Sequence, residues 1–151
     1  MGYISELREA IGTRPLIMTG ATVLVFNKQG QLLLQKRSDS LDWGTIGGAL
    51  ECGESLEEAA ARELLEETGL TAGTLKFVSL LSGKDMYYKY PHGDEIYNVT
   101  AVYEAIDISG TLEVLDDEGV ELDYFDLSKP IKQLNAFSEH VLRKLGLIHT
   151  W

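Results

Sequence analysis

The sequence predicts an α/β (α+β) fold in which a mixed β-sheet lies between helices. Stretches with strand-like alternation and stretches with helical periodicity follow one another, but too loosely for a doubly wound parallel sheet. At 151 residues, 44% of them hydrophobic, the chain is long enough to bury a core. No internal repeat or low-complexity linker stands out. We therefore expect residues 1–151 to form a single domain.

The composition limits the classes of partner. A net charge of −11 and a pI near 4.6 argue against a nucleic-acid-binding surface, because lysine and arginine patches hold phosphate backbones. An acidic protein that handles an anionic substrate needs a cation between the two. Cys52 is the only cysteine, which excludes an internal disulfide, and no apolar run suits a membrane span or a signal peptide. We expect a cytoplasmic protein without membrane or nucleic-acid partners.

The N-terminal third predicts one helix and a β-hairpin. Residues 5–11 read as a short helix capped by Ser5. Residues 16–26 are rich in β-branched and apolar side chains, residues 27–30 form a turn, and a second strand begins at Leu32. We expect the two strands to pair as a hairpin.

The next stretch predicts a glycine-rich loop followed by a helix. Gly47, Gly48 and Gly53 permit backbone angles that other residues resist. Ser55 is a good N-cap, and Gly69 is a natural stop after the last turn. The helix between them therefore starts beside the loop.

Three carboxylates of this helix form one acidic cluster. Glu63, Glu66 and Glu67 are offset by 0, 3 and 4 positions, so they fall within an arc of roughly 100°. Like charges at this spacing repel unless a cation lies among them, and hard oxygen ligands suit Mg²⁺ or Mn²⁺. Arg62 could hold one carboxylate through a forked pair. Taken alone, the carboxylates favour a solvated acidic helix face, because a run of glutamates on a helix is most often solvated.

The C-terminal half predicts further strands and a last helix. Strands are expected at residues 74–81, 96–108, 112–115 and 122–127, with an acidic loop at 116–121. Pro130 is expected to open the final helix. The tyrosine-rich segment 84–95 is either a hairpin loop that packs on the sheet or a substrate loop.

The stretch Gly48–Leu70 resembles the signature of the Nudix hydrolase family. It contains, with the family's spacing, Gly48, Glu54, Arg62, Glu63, Leu64, Glu66, Glu67, Gly69 and Leu70, so every fixed position is filled. A match at eight or nine specified positions within 23 residues is far more specific than a lone glycine motif. The Trp43-Gly44 pair that leads into the glycine loop is similar to the family's pattern too. Ile46, however, stands where a proline commonly precedes the two glycines.

The resemblance implies an α/β/α sandwich and a metal-dependent hydrolase that cleaves nucleoside diphosphates linked to another group. Mg²⁺ or Mn²⁺ would be held by Glu63, Glu66 and Glu67, with the carbonyl of Gly47. Either Glu63 or Glu118 would accept the proton of the attacking water. Arg62 would orient the glutamates, with Glu54 and Gly48 as structural support.

The resemblance and the residues together suggest a small-molecule nucleotide as substrate. Arg37 is a reasonable phosphate or ribose contact, and Tyr87 and Tyr88 could stack on a nucleobase. ADP-ribose or a nucleotide sugar is favoured. The alternatives are a dinucleoside polyphosphate, an oxidised nucleoside triphosphate, or a Nudix module that binds nucleotides without cleaving them. An edge strand or the first helix could support a homodimer.

Overall fold

The computed structural model describes residues 2–114 and 119–149. Its helices are α1 (Tyr3–Ile11), α2 (Leu56–Thr68) and α3 (Ala136–Lys144), with a short 3-10 turn at Lys84–Met86. Its strands are β1 (Leu16–Leu24), β2 (Leu32–Arg37), β3 (Trp43–Gly44), β4 (Ile46–Ala49), β5 (Leu70–Leu81), β6 (Tyr87–Lys89), β7 (Glu95–Gly110) and β8 (Gly119–Phe125).

The strands form a five-stranded mixed sheet and a three-stranded antiparallel sheet. In the first, the order is β4-β1-β7-β5, and β6 also pairs with β7. The β1–β7 pair is parallel, while β4, β5 and β6 each join the sheet antiparallel. The second sheet has the order β3-β2-β8. The predicted mixed sheet is therefore confirmed, with a smaller sheet beside it.

Helices α2 and α3 cover two separate hydrophobic cores. Ala60 and Leu64 of α2 pack in the core that contains Val23 and Tyr103. Leu142 of α3 packs in the other core, whose buried residues also include Val141, Leu24, Leu34, Val102 and Ile131. Because strand side chains alternate between faces, Leu33 joins the first core while its neighbours Leu32 and Leu34 join the second. The arrangement is the predicted helix–sheet–helix sandwich.

The ends of α2 are those predicted from the sequence. Ser55 Oγ accepts from the Glu58 amide at 3.1 Å, and Glu58 Oε1 accepts from the Ser55 amide at 3.0 Å, which makes a capping box. Gly69 ends the helix in the left-handed conformation, with φ 78°.

The predicted hairpin of the first two strands is present only next to its turn. Phe26 forms an antiparallel bridge with Leu32, and the Leu33 amide donates to the Val25 carbonyl at 2.9 Å, but β1 and β2 otherwise lie in different sheets. The turn at 27–30 is present, since the Gly30 amide donates to the Asn27 carbonyl. Local turn chemistry was therefore read correctly, but β4 and β7 compete successfully for pairing with β1.

Other boundaries also differ from the predictions. The last helix begins after Asn135, which caps it by accepting from the Ser138 amide, rather than at Pro130. Before it, the chain is held against β3 by hydrogen bonds of Trp43 with Gln133 and Asn135. Residues 111–114 are not a strand, and the first part of the glycine-rich stretch is strand β4.

Within the described parts of the chain, the helices are too short or too polar to cross a membrane.

Candidate active site

Strand β4 lets the acidic helix approach the sheet closely. Gly48 lies opposite Ala21 of β1, and a Cβ on Gly48 would lie 2.5 Å from the carboxyl carbon of Glu63. Glycine at this position therefore provides the space that the Glu63 carboxylate occupies. Ile46, where a proline commonly stands, is fully buried and pairs with Val23, so sheet pairing fixes the backbone here.

Arg62 lies at the centre of the acidic cluster. Its Nε and Nη2 donate to the two oxygens of Glu54 at 2.6 and 3.0 Å, and Nη1 donates to Glu63 at 2.8 Å and to Glu66 at 3.4 Å. Nη2 also donates to the Ala49 carbonyl at 2.9 Å. The hydrogen bond with Glu54 and the charge of Glu63 raise the pKa of the guanidinium. Arg62 thus holds the helix, the loop and β4 together.

Glu54 is the main partner of Arg62. The hydrogen bond from Arg62 lowers the pKa of the Glu54 carboxyl below its ordinary value, against the opposing effect of burial. The Glu51 amide donates to Glu54 Oε1 at 3.0 Å. Glu54 therefore links the glycine-rich loop to Arg62.

Glu67 is the most deeply buried member of the cluster, with 1% of its surface exposed. Its Oε1 accepts from the Gly47 amide at 2.9 Å, and its Oε2 accepts from Gln35 Nε2 at 2.7 Å. Gln35 is itself buried. In the described part of the molecule, its Oε1 atom has no hydrogen-bond partner. Two N–H donors thus fix the Glu67 carboxylate beside β4.

The donor chemistry of this cluster fits a hard divalent cation. Glu63 and Glu66 border one cleft, Glu67 binds the strand that lines it, and the missing side chain of Gly48 leaves room for the carboxylate. Within residues 2–114 and 119–149, no three acidic, histidine or cysteine side chains converge closely enough to hold a metal ion as they stand. Arg62 occupies the centre, and the candidate base Glu118 lies outside the described residues.

A narrow inner cavity of about 80 Å³ opens beside the glycine strand. Hydroxyl and amide groups face it from β1, β7 and the start of α3, and the Thr22 and Thr100 hydroxyls are hydrogen-bonded at 2.8 Å. Its polar and aromatic lining includes Asn98, Asn135, Ser138, Tyr88 and Phe137. Such a mixture of apolar walls and a few polar groups is typical of small-molecule sites.

A wider outer cavity of about 470 Å³ is lined by two members of the acidic cluster, Glu63 and Glu66. Arg62, Glu63 and Glu66 line one side, and residues of α1 and of the segment after β6 line the other. The two cavities share six lining residues, namely Met18, Arg37, Gly47, Gly48, Tyr90 and Ile96. They therefore form one cleft, with the glycine strand at the junction.

The three candidate substrate contacts differ in whether they line the cleft. Arg37 lines both cavities, forms a two-pronged pair with Asp39 at 3.0 and 3.1 Å, and lies 5.9 Å from the Tyr90 ring centre. Tyr88 lines the inner cavity. Tyr87 lines neither, since its ring packs against Tyr97, and its hydroxyl donates to Glu95. Tyr87 thus lies away from both cavities, because adjacent strand residues point to opposite faces.

Several residues of the cleft escaped the sequence analysis. Gln35 and Asn98 are polar residues within apolar strand runs, which is the signal that could have found them. Asn135 precedes the first turn of α3 and carries an N-cap signal. The placement of Arg8 in the cleft depends on contacts distant in sequence and had no local signal, whereas Tyr90 belongs to the segment 84–95 that the sequence offered as a substrate loop.

Comparison with known proteins identifies the family. The sequence model of the NUDIX domain matches residues 16–145, which is most of the chain. The chain belongs to the Nudix family. Within this family, the chain is similar to proteins named as pyrophosphatases and diphosphatases, consistent with a Nudix hydrolase.

The relatives carry several activity names. The chain is 35% identical over 107 residues to an ADP-ribose pyrophosphatase of Methanocaldococcus jannaschii, covering 69% of this chain and 59% of the relative. It is 29% identical over 119 residues to an oxidized purine nucleoside triphosphate hydrolase of Danio rerio, covering 76% and 71%. Among the first curated relatives, the match spans about half of each relative's length, namely 44%, 59% and 42%.

The fold also matches solved structures. A MutT Nudix hydrolase from Burkholderia pseudomallei superposes with a TM-score of 0.69 at 25% identity, covering 86% of this chain and 97% of that one. The α+β architecture with a mixed sheet is thus that of Nudix hydrolases.

Proposed function

We propose that the protein is a metal-dependent pyrophosphohydrolase that cleaves a nucleoside diphosphate linked to another group. The observation that carries this proposal is the position of Glu63 and Glu66, which line the outer cavity beside the glycine strand that joins the two cavities. A nucleotide bound across the junction has its phosphates beside Glu63 and Glu66. Carboxylates repel phosphate, so this placement is productive only with cations between them.

The chain's own residues divide the work of such a site. Glu63, Glu66 and Glu67 would hold Mg²⁺ or Mn²⁺, together with the Gly47 carbonyl. The bound ion would neutralise phosphate charge and lower the pKa of an attacking water. Glu63 or Glu118 accepts the proton of that water. Arg62 and Glu54 keep the Glu63 carboxylate oriented, and Gln35 does the same for Glu67.

ADP-ribose or another nucleotide sugar is the leading substrate. The amides and hydroxyls of the inner cavity can hydrogen-bond the edge of a nucleobase, and Tyr88 can pack on its face. Arg37 reaches both cavities, as a contact to ribose or phosphate would. The similarity to a protein named as an ADP-ribose pyrophosphatase supports the preference for a nucleotide sugar.

An oxidised purine nucleoside triphosphate is the second candidate. The relative with that name aligns with 76% of this chain. A base in the inner cavity also suits a triphosphate, whose phosphates would lie along the acidic cluster. The two candidates differ in what lies beyond the pyrophosphate.

A hydrolysis screen tests the proposal. Purified protein with Mg²⁺ or Mn²⁺ is incubated with ADP-ribose, other nucleotide sugars, dinucleoside polyphosphates and nucleoside triphosphates. Products are identified by mass spectrometry in water labelled with heavy oxygen, which shows the phosphorus attacked. We expect one class to be cleaved by a wide margin. Binding without cleavage would instead indicate a nucleotide-sensing module.

The variant Glu67→Gln tests the site itself. It keeps the side-chain volume and removes the charge, so we expect turnover to fall by about two or more orders of magnitude with an unchanged fold. The matched control is Glu139→Gln on α3, which also removes one carboxylate, but one that pairs with Arg143 and does not bind the Gly47 amide as Glu67 does. Near-normal turnover of a folded Glu67→Gln protein would remove Glu67 from the mechanism.

Homodimer formation and a cytoplasmic location remain predictions from the sequence. Light scattering of the purified protein would test the first.

A further inference from the structure

Helix α1 lies outside the matched NUDIX domain region yet forms part of the cleft. The domain match begins at residue 16, whereas Ile4, Ser5 and Arg8 of α1 line the outer cavity. None of the residues of α1 is buried. The helix is therefore held in place chiefly by polar contacts rather than by burial in a core.

The N-terminal end of α1 is fastened to the loop that precedes the acidic helix. The Tyr3 amide donates to Glu51 Oε1 at 2.9 Å, and a Cβ on Gly2 would lie 2.8 Å from Glu51 Oε2. The partial positive charge of a helix N-terminus favours this carboxylate. Because the Glu51 amide donates to Glu54, the contact continues to Arg62.

The other end of α1 is fastened by Arg8. Its guanidinium donates to the carbonyls of Gly12, Arg14 and Glu95 at 2.9, 2.5 and 2.6 Å. It also pairs with Asp94 at 3.5 Å, and only 11% of the side chain is exposed. One guanidinium thus joins the end of α1 to the turn at residues 90–95.

This turn carries an aromatic wall opposite the acidic cluster. The turn closes through hydrogen bonds from the Tyr90 amide to the Asp94 carbonyl and from the Gly93 amide to the Tyr90 carbonyl, both at 2.9 Å. The His92 ring stacks on Tyr90 at 5.3 Å with an interplanar angle of 5°, and Tyr88 meets Tyr90 edge-on at 5.0 Å. The wall therefore runs from the inner cavity to the outer one.

We propose that α1 and the turn at 90–95 form the binding site for a sugar on the far side of the scissile pyrophosphate. The proposal rests on the proposed function, and it selects nucleotide sugars among its substrates. With the base in the inner cavity and the pyrophosphate beside Glu63, the remaining group of the substrate lies in the outer cavity. The Ser5 hydroxyl and the His92 imidazole border that space, and they suit a ligand rich in hydroxyl groups.

The location of the wall explains why a nucleoside triphosphate is the poorer fit. A triphosphate ends at its last phosphate and carries nothing that would reach Ser5 or His92. His92 is accessible, because 57% of its side chain is exposed.

The test compares pairs of ligands that differ only by the sugar. The pairs are ADP-ribose with ADP, and GDP-mannose with GDP, measured by calorimetry in the Glu67→Gln background to prevent turnover. For Ser5→Ala and His92→Ala, we expect the Kd of the sugar-bearing ligand to rise about three- to tenfold for each hydrogen bond lost. The Kd of the matching diphosphate should not change.

Kinetics provide a second readout with a matched control. In the active enzyme, Ser5→Ala and His92→Ala should raise the KM for the nucleotide sugar and leave kcat nearly unchanged. Arg14→Gln is the control, because Arg14 bonds to the Ile11 carbonyl and lines neither cavity. Both kinetic constants of this control should match those of the unaltered protein.

The outcomes separate this inference from the proposed function. A nucleotide sugar could be cleaved while both variants raise the Kd of the sugar-bearing ligand and of its diphosphate equally. In that case the sugar site is wrong and the hydrolase proposal stands. If triphosphates alone are bound and cleaved, the sugar site is wrong while a pyrophosphohydrolase remains. If no nucleotide is bound or cleaved, both proposals fail.

Discussion

Arg62 contacts Glu54, Glu63 and Glu66 with one planar group. A guanidinium can do this because it presents five donors in a fixed plane, whereas a lysine offers a single ammonium. The strongest of these contacts is the two-pronged pair with Glu54. At the scale of single residues, the order of the cluster therefore depends on the Glu54–Arg62 pair.

This pair predicts a pH-dependent contribution to stability. Arg62 lowers the pKa of Glu54 below its ordinary 4.5, so ionised Glu54 stabilises the folded state. The contribution is complete above pH 4.5 and is lost as pH falls through the lower pKa of the folded state. We expect Glu54→Gln to be less stable than the unaltered protein at neutral pH, with the difference shrinking in acid.

Urea unfolding at a series of pH values from neutral to about pH 3 measures the difference. The exposed Glu113→Gln is the control for loss of one negative charge. A stability difference that stays constant into the acid range would contradict the Glu54–Arg62 assignment.

The close approach of Glu63 to Gly48 predicts that Gly48→Ala impairs activity without impairing folding. The φ angle of Gly48 is not in the positive range, so the backbone accepts alanine, but the new methyl group would collide with the Glu63 carboxylate. We expect Gly48→Ala to lower kcat about 10–100-fold, the range seen when the support of a ligand is disturbed. Circular dichroism should be unchanged.

Gly30→Ala serves as the comparison for Gly48→Ala. Gly30 has φ 75° and open space around it, so alanine there strains the turn without approaching the cleft. It should lower the melting temperature and leave kcat intact. Equal kcat values for the two variants would show that the Gly48–Glu63 contact has no catalytic consequence.

Single residues were predictable where their role depends on local spacing. The spacing of Glu63, Glu66 and Glu67 fixes their common helix face. The structure brings Glu63 and Glu66 together at Arg62. Gln35 meets Glu67 across 32 positions, and Arg8 meets the Glu95 carbonyl across 87. No local pattern encodes such contacts, because they arise only when the sheet has assembled.

At the scale of elements, the capping box of α2 makes a stability prediction. Ser55→Ala removes the side-chain acceptor for the Glu58 amide and should cost about 1 kcal/mol. The corresponding fall in melting temperature is about 2–4 °C. Glu58→Gln, which preserves an acceptor in the capping box, should change it much less. An unchanged melting temperature for Ser55→Ala would mean that the cap does not stabilise the helix.

Elements were predicted best where caps and periodicity agree and worst where strands compete for partners. Helix α2 has both signals, and its observed bounds follow them. The turn at 27–30 is equally clear locally, yet β1 pairs with β7 over nine positions and with β4 over four. The start of α3 was misplaced because Pro130 is a good first-turn residue, but the chain there is held against β3.

At the scale of the whole molecule, negative charge predicts stabilisation by divalent cations. The chain carries a net charge of −11, and Glu63 and Glu67 are buried. A cation that binds only the folded state should raise the melting temperature. At a concentration of 100 times its Kd, it would add about 2.7 kcal/mol to the free energy of unfolding. Thermal unfolding with increasing Mg²⁺ measures this effect.

The control experiments distinguish binding of Mg²⁺ at a specific site from general screening of the protein's negative charge by salt. Sodium chloride at matched ionic strength should stabilise far less than Mg²⁺. Glu63→Gln should lose most of the Mg²⁺ effect, whereas Glu139→Gln should keep it. An equal response of both variants would indicate that Mg²⁺ acts only on the overall charge.

Cys52 stands exposed between Glu51, which anchors α1, and Gly53 of the same loop. It is the single thiol among 151 residues. A maleimide dye would therefore label one defined point at the rim of the cleft, with no other cysteine to remove beforehand. Its emission could then follow nucleotide entry in real time, including in variants that have lost all turnover.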